Sequence, residues 1–133
     1  MATIKIPVSA GELLDKITIL EIKAKQIKDK DKLRSVKSEL NMLNEVLESI
    51  RKKHANKDEH LNSLKEDLFN INLSLWRIED KIRLMEAKKN YGKDFIILAR
   101  TIYIRNDERS AIKNKINILL ESKISDIKLY NKY

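Results

Sequence analysis

Between residues 30 and 121 the chain repeats apolar positions in alternating steps of three and four. Leu33, Val36, Leu40, Leu43, Leu47 and Ile50 form one series, and Leu61, Leu64, Leu68, Ile71, Leu75, Ile78, Ile82 and Met85 form a second. Such spacing makes the seam of a coiled coil. Helices are therefore predicted over 30–54 and 57–90, folded by a short turn into an antiparallel hairpin with left-handed crossing. A helix over 94–121 keeps the same register through Phe95, Leu98, Ile102, Ile112, Ile116 and Leu119, with Arg105 and Arg109 at the two seam positions between. A helix over 9–28 gathers Leu13, Leu14, Ile17, Leu20, Ala24 and Ile27 on one face at about 100° per residue. Its opposite side carries Asp15, Ile19 and Ile22. Residues 1–8 form an extended arm and residues 122–133 a polar tail.

The punctuation between these segments agrees with the periodicity. Ser9 is the natural N-cap of the first helix, with Glu12 as capping-box partner and Val8 and Leu13 at the staple positions. Pro7 fixes how the chain approaches that helix. Asp29 or Asp31 opens the second helix and Asn56 or Asp58 the third, while Gly92 marks the stop before the fourth. The expected fold is all-α: one domain, an antiparallel long-helix bundle of about four helices, with a coiled-coil hairpin from the second and third.

Two guanidinium groups in an apolar seam require partners, because buried charge is costly unless it is paired and hydrogen-bonded. On the first helix Glu21 falls at the edge of the core face. If every connection reverses the chain, Glu21, Asn70 or Asn72, Arg105, Asn106 and Arg109 meet in one mid-bundle layer. That layer is either an ion pair fixing helix register or an arginine-lined pocket for an anionic ligand. A further alternative lets both arginines snorkel to the surface.

The apolar back of the first helix raises a second question. Ile19 and Ile22 would be exposed in a simple monomeric bundle, so the helix is either central or at an interface. A symmetric homodimer is expected, with Ile4 and Ile6 of the arm crossing to the neighbouring subunit.

Composition narrows the chemistry. Two Gly, one Pro and no Cys among 133 residues leave little for hairpins and nothing for disulfides or thiolate sites. No charged segment followed by an apolar run opens the chain, and no apolar run has membrane-spanning length, so a cytoplasmic, non-membrane protein is expected. The net charge of +8 is spread along the chain, with only Arg51, Lys52 and Lys53 forming a run. A nucleic-acid footprint would gather it on one face, which disfavours that partner. Glu12-x-x-Asp15 and Glu79-Asp80 with Glu86 could hold a hard cation, but capping and solvated charge explain them, and His54 and His60 lack a third ligand. No metal or cofactor is expected, and no phosphate loop or catalytic triad order is present.

Four stretches, "PVSAGELLDKITILEIK" (7–23), "LWRIEDKIR" (75–83), "FIILARTIYIRNDERSAIKNKIN" (95–117) and "SKISDIKLY" (122–130), resemble a family of small bacterial and phage proteins catalogued as domain of unknown function 6165. In the tail, Asp126 stands where the resemblance implies Glu, and Ile127 where it implies a second acid. The family carries no agreed activity, so the resemblance assigns no site. It places Glu21, Glu79, Asp80, Arg100, Arg105, Asn106, Asp107 and Arg109 in one half of the molecule. The functional expectation is a non-catalytic interaction or accessory module that self-associates. The alternatives are an enzyme or binder of a small anionic metabolite, and a nucleic-acid-binding protein.

Overall fold

The computed structural model describes residues 3–125, 127–129 and 132–133; Asp126 and Tyr130 of the C-terminal segment lie outside them. Four helices carry the chain: α1 (Ala10–Gln26), α2 (Lys30–Lys53), α3 (Asp58–Ala87) and α4 (Lys93–Leu119), with a short 3₁₀ turn at Ala55–Lys57 between α2 and α3. Among the described residues there is no strand, and the helices pack as an all-α bundle. Among them, too, no helix is long and apolar enough to cross a membrane.

Local chemistry sets the helix ends. The Ser9 hydroxyl accepts from the Glu12 amide at 3.1 Å, and the Asp29 carboxylate accepts from the Lys32 amide at 3.0 Å, each taking up one of the first-turn amides that a helix leaves unpaired. Both α3 and α4 end in Schellman geometry. After α3, the Asn90 amide donates to the Met85 carbonyl at 2.9 Å and Lys89 turns left-handed at φ 52°. After α4, the Ser122 amide donates to Asn117 at 2.8 Å and Glu121 has φ 53°. Gly92 stays at negative φ as the N-cap of α4. The left-handed stop expected there of a glycine is thus made by a lysine three residues earlier.

The helix pairing differs from the heptad expectation. α3 runs along α4 as the most extensive pair, and α1 packs against α2, α3 and α4. α2 and α3 part from their connecting turn, where Arg51 donates to Asp58 and Asn62 at 2.6 Å each. The α2–α3 hairpin expected from two matching seams is therefore not the packing unit. A helix apolar on two sides buries more surface by lying between the others than at their edge. The core that results joins Leu13, Leu14 and Ile17 of α1 to Leu47 of α2, Leu61, Leu64 and Leu68 of α3, and Ile112 and Ile116 of α4. Leu40, Leu43 and Ile50 of the α2 seam line its edge.

The central position of α1 also corrects the expected interface. Ile22 is 2% exposed within its own chain, and Ile19 is half-buried. Ile22 is thus buried within its own chain and not left for another subunit, while Ile19 lines a cavity between α3 and α4. The arm is different: Ile4 and Ile6 are 89% and 70% exposed.

Candidate functional site

Along α1 the second stripe runs Asp15, Thr18, Ile19, Ile22, at the spacing that keeps side chains on one helical face. On α4, Asn106, Arg109, Lys113 and Asn117 form a polar stripe with the same spacing. The two helices are antiparallel, so the stripes meet in reverse order: Gly11 with Asn117, Glu12 with Lys113, Asp15 with Arg109.

Asp15 is the centre of the layer, with a side chain 5% exposed. The Arg109 guanidinium grips it with two donors, Nε to Oδ1 at 2.8 Å and Nη2 to Oδ2. This is the bidentate fork that fits a carboxylate best. The Asn72 amide of α3 donates to Asp15 Oδ1 and to Thr18 Oγ1, both at 2.9 Å, and the Thr18 hydroxyl donates to the Asp15 carbonyl at 2.8 Å. Three helices are thereby locked in register by one carboxylate. Arg109 Nη1 also reaches Asn106 Oδ1 at 3.4 Å.

One turn nearer the start of α1 lies a second tier. Lys113, 6% exposed, donates to the Glu12 carboxylate, so Glu12 serves a cross-helix ion pair in place of the expected capping box. The amides of Gly11 and Ala10 donate to Asn117 Oδ1 at 2.6 Å and Ser122 Oγ at 3.3 Å. Side chains of α4 and the segment after it thus complete the cap that Ser9 begins. Approach this close requires glycine at position 11, where a Cβ would stand 2.5 Å from the Lys113 carbonyl oxygen.

The residues expected to form the layer divide. Asn72, Asn106 and Arg109 meet as described, while Asn70 is exposed. Glu21 does not reach either arginine; it faces Lys65 of α3 at 3.3 Å. Arg105 turns along its own helix to Glu108, with Nη1 at 2.8 and 3.0 Å from the two oxygens. Asp15, not Glu21, is the acid because the side of α1 opposite Leu13, Leu14 and Ile17, expected to be either central or at an interface, is central here and meets Asn72 of α3 and Arg109 of α4. The sequence signal for it was the pair Glu12-x-x-Asp15, matched in reverse by Arg109 and Lys113 four apart.

Two cavities flank Arg109. One, about 480 Å³, is lined by Ile19, Asn72, Leu75, Trp76, Glu79, Asp80, Arg83, Asn106 and Arg109. The other, about 640 Å³, lies between α4 and the C-terminal segment and is lined by Ile102, Tyr103, Asn106, Asp107, Arg109, Ser110, Lys113, Lys128, Lys132 and Tyr133. Glu79 and Arg83 pair across one helical turn at 3.7 Å. Among the described residues no three His, Asp or Glu side chains converge as metal ligands.

Burial pushes the Asp15 carboxyl up, but the donors of Arg109 and Asn72, with the charges of Arg109 and Lys113, outweigh it and hold the group below the ordinary aspartate value. A depressed native value means that Asp15 contributes stability fully above the ordinary carboxylate range, and that this is lost as pH falls through the depressed value. Asp15→Asn is therefore expected to be less stable than wild type near neutral pH, with the difference shrinking in strong acid. Urea denaturation at several pH values checks this; a difference that stays constant into strong acid would refute it.

A family model described as "Family of unknown function (DUF6165)" matches residues 4–133. No curated protein and no solved structure matches the chain. With the match spanning the arm, all four helices and the C-terminal segment, the chain belongs to the family of unknown function DUF6165.

Proposed function

We propose that the protein is a non-catalytic interaction module that self-associates through its N-terminal arm. The observation that carries this reading is the arm itself. In residues 3–8 the alternating apolar side chains Ile4, Ile6 and Val8 are 89%, 70% and 50% exposed, next to a helix start fixed by three hydrogen bonds. An extended segment with apolar residues on one side, tied to a rigid base, is suited to lie on a second copy, where burial would remove that surface from water. The charge layer supports a non-catalytic role. The Arg109 fork is taken up by Asp15 and Glu21 by Lys65, pairs between helices of the kind that set register, while Arg105 is taken up along its own helix by Glu108.

The reading predicts a wild-type mass twice that of the monomer by light scattering, and a monomer for Ile4→Glu combined with Ile6→Glu. Circular dichroism should be unchanged, since both side chains lie outside the core. A wild-type protein that is monomeric at high concentration, or a double variant that stays dimeric, would remove the arm from the interface.

A further inference from the structure

The cavity of about 480 Å³ walled by α1, α3 and α4 sets apolar surface from Ile19, Leu75 and Trp76 beside the charged side chains of α3. Most of its charge is already matched. Arg109 is held by Asp15, and Arg83 pairs with Glu79. Asp80 is different: it is exposed and makes no ion pair or hydrogen bond among the described residues. The cavity therefore offers an apolar wall with one unpaired carboxylate at its rim.

The N-terminal arm has the complementary composition. Ile4 and Ile6 flank Lys5, and Lys5 is likewise exposed and unpaired among the described residues. In an extended segment alternate side chains share a side, so both isoleucines can enter one cavity together. The Lys5 ammonium, on a flexible four-carbon stem, can bend back to a carboxylate at the rim. The arm does not fill the cavity of its own chain, since Ile4 and Ile6 are 89% and 70% exposed. It leaves α1 at Ser9, and Ile19 stands about 15 Å further along the helix axis. When two copies pair about a two-fold axis with their α1 helices antiparallel, the start of each α1 lies level with the later turns of the other. One symmetry operation then brings both arms to both cavities.

We propose that the arm docks in this cavity of a second copy, with Ile4 and Ile6 against Ile19, Leu75 and Trp76 and the Lys5 ammonium on Asp80. The inference rests on self-association through the arm and supplies the surface that receives it.

Trp76 is the one tryptophan of the chain and reports the contact. In a dilution series of the full chain its emission is expected to move to longer wavelength as the light-scattering mass falls from dimer to monomer, because the docked isoleucines keep water from the ring. Asp80→Lys turns an attraction into a repulsion at both copies of the contact. It is expected to raise the dimer Kd about tenfold with an unchanged circular dichroism spectrum, since the side chain is exposed. Lys5→Glu should do the same, and Lys5→Glu combined with Asp80→Lys, which restores opposite charges in exchanged places, should return the Kd close to the wild-type value. Trp76 emission that stays constant while the mass halves, or a Kd indifferent to Asp80→Lys, would overturn the proposal. So would emission that is independent of concentration but moves to longer wavelength in Ile4→Glu with Ile6→Glu, the signature of an arm folded into its own cavity. A dimer broken by Ile4→Glu with Ile6→Glu yet indifferent to Asp80→Lys keeps the arm as the interface and removes only this acceptor. A wild-type monomer at every concentration removes both.

Discussion

Asp15→Leu alone is expected to destabilise the protein by about 3–5 kcal/mol, and Arg109→Leu alone by an amount near the lower end of that range. The reason is the asymmetry of a buried pair. With Asp15 gone, the guanidinium and the Asn72 amide face an apolar layer without the oxygens they were placed to bind, and each stranded donor carries its desolvation cost. With Arg109 gone, the carboxylate keeps Asn72 but loses its counter-charge while 5% exposed. The Arg109 side chain is 29% exposed, which softens its own loss through solvent screening. Replacing both removes the two charges together, and the double variant should recover most of the loss, ending near wild type. A double-mutant cycle by urea denaturation measures the coupling. Additive single effects would sink the view that Asp15 and Arg109 act as one structural unit.

Gly11→Ala carries the second large effect, and its sign is the informative part. In an ordinary helix the exchange gains about 0.5–1 kcal/mol, since glycine gives up more backbone freedom on folding. Here the added methyl would stand 2.5 Å from the Lys113 carbonyl oxygen and 2.9 Å from Asn117 Oδ1. The nearer atom is helix backbone and cannot rotate away. α1 must move off α4, lengthening the 2.6 Å bond from the Gly11 amide to Asn117 and loosening the Glu12–Lys113 pair beside it. Overpacking of this kind costs about 1–3 kcal/mol, and a lost hydrogen bond adds about 1 kcal/mol. The expected outcome is a net loss of about 2–3 kcal/mol, seen as a fall in Tm of roughly 10 °C. A rise in Tm would show that helix propensity governs this position and that the α1–α4 contact yields freely.

Both effects depend on α1 meeting α4 along a polar stripe, and that contact was only half legible in the chain. The residues of the stripe were visible: Arg109 interrupting an apolar seam, Glu12 and Asp15 three apart, Lys113 four after Arg109. What they touch was not. Glu21 and Asp15 are both acids near an apolar face of α1, and periodicity assigns them to opposite sides without saying which side meets α4. Gly11 carried no local signal, because a glycine needed for a close approach looks the same in sequence as one that is merely tolerated.

By itself the sequence determined the elements: four helices, a cap at Ser9 and another at Asp29 or Asp31, of which the structure uses Asp29, and the seams that bury Leu47, Leu68 and Ile116. These follow from interactions within a few residues, which short windows of sequence contain. Only the tertiary structure decided that α3 pairs with α4, that α1 lies against the other three helices, and that Asp15 is the buried acid. The seams of α2, α3 and α4 share one spacing and are interchangeable as partners. The choice among them rests on the total apolar surface each arrangement buries, a sum over the whole chain that no local pattern records.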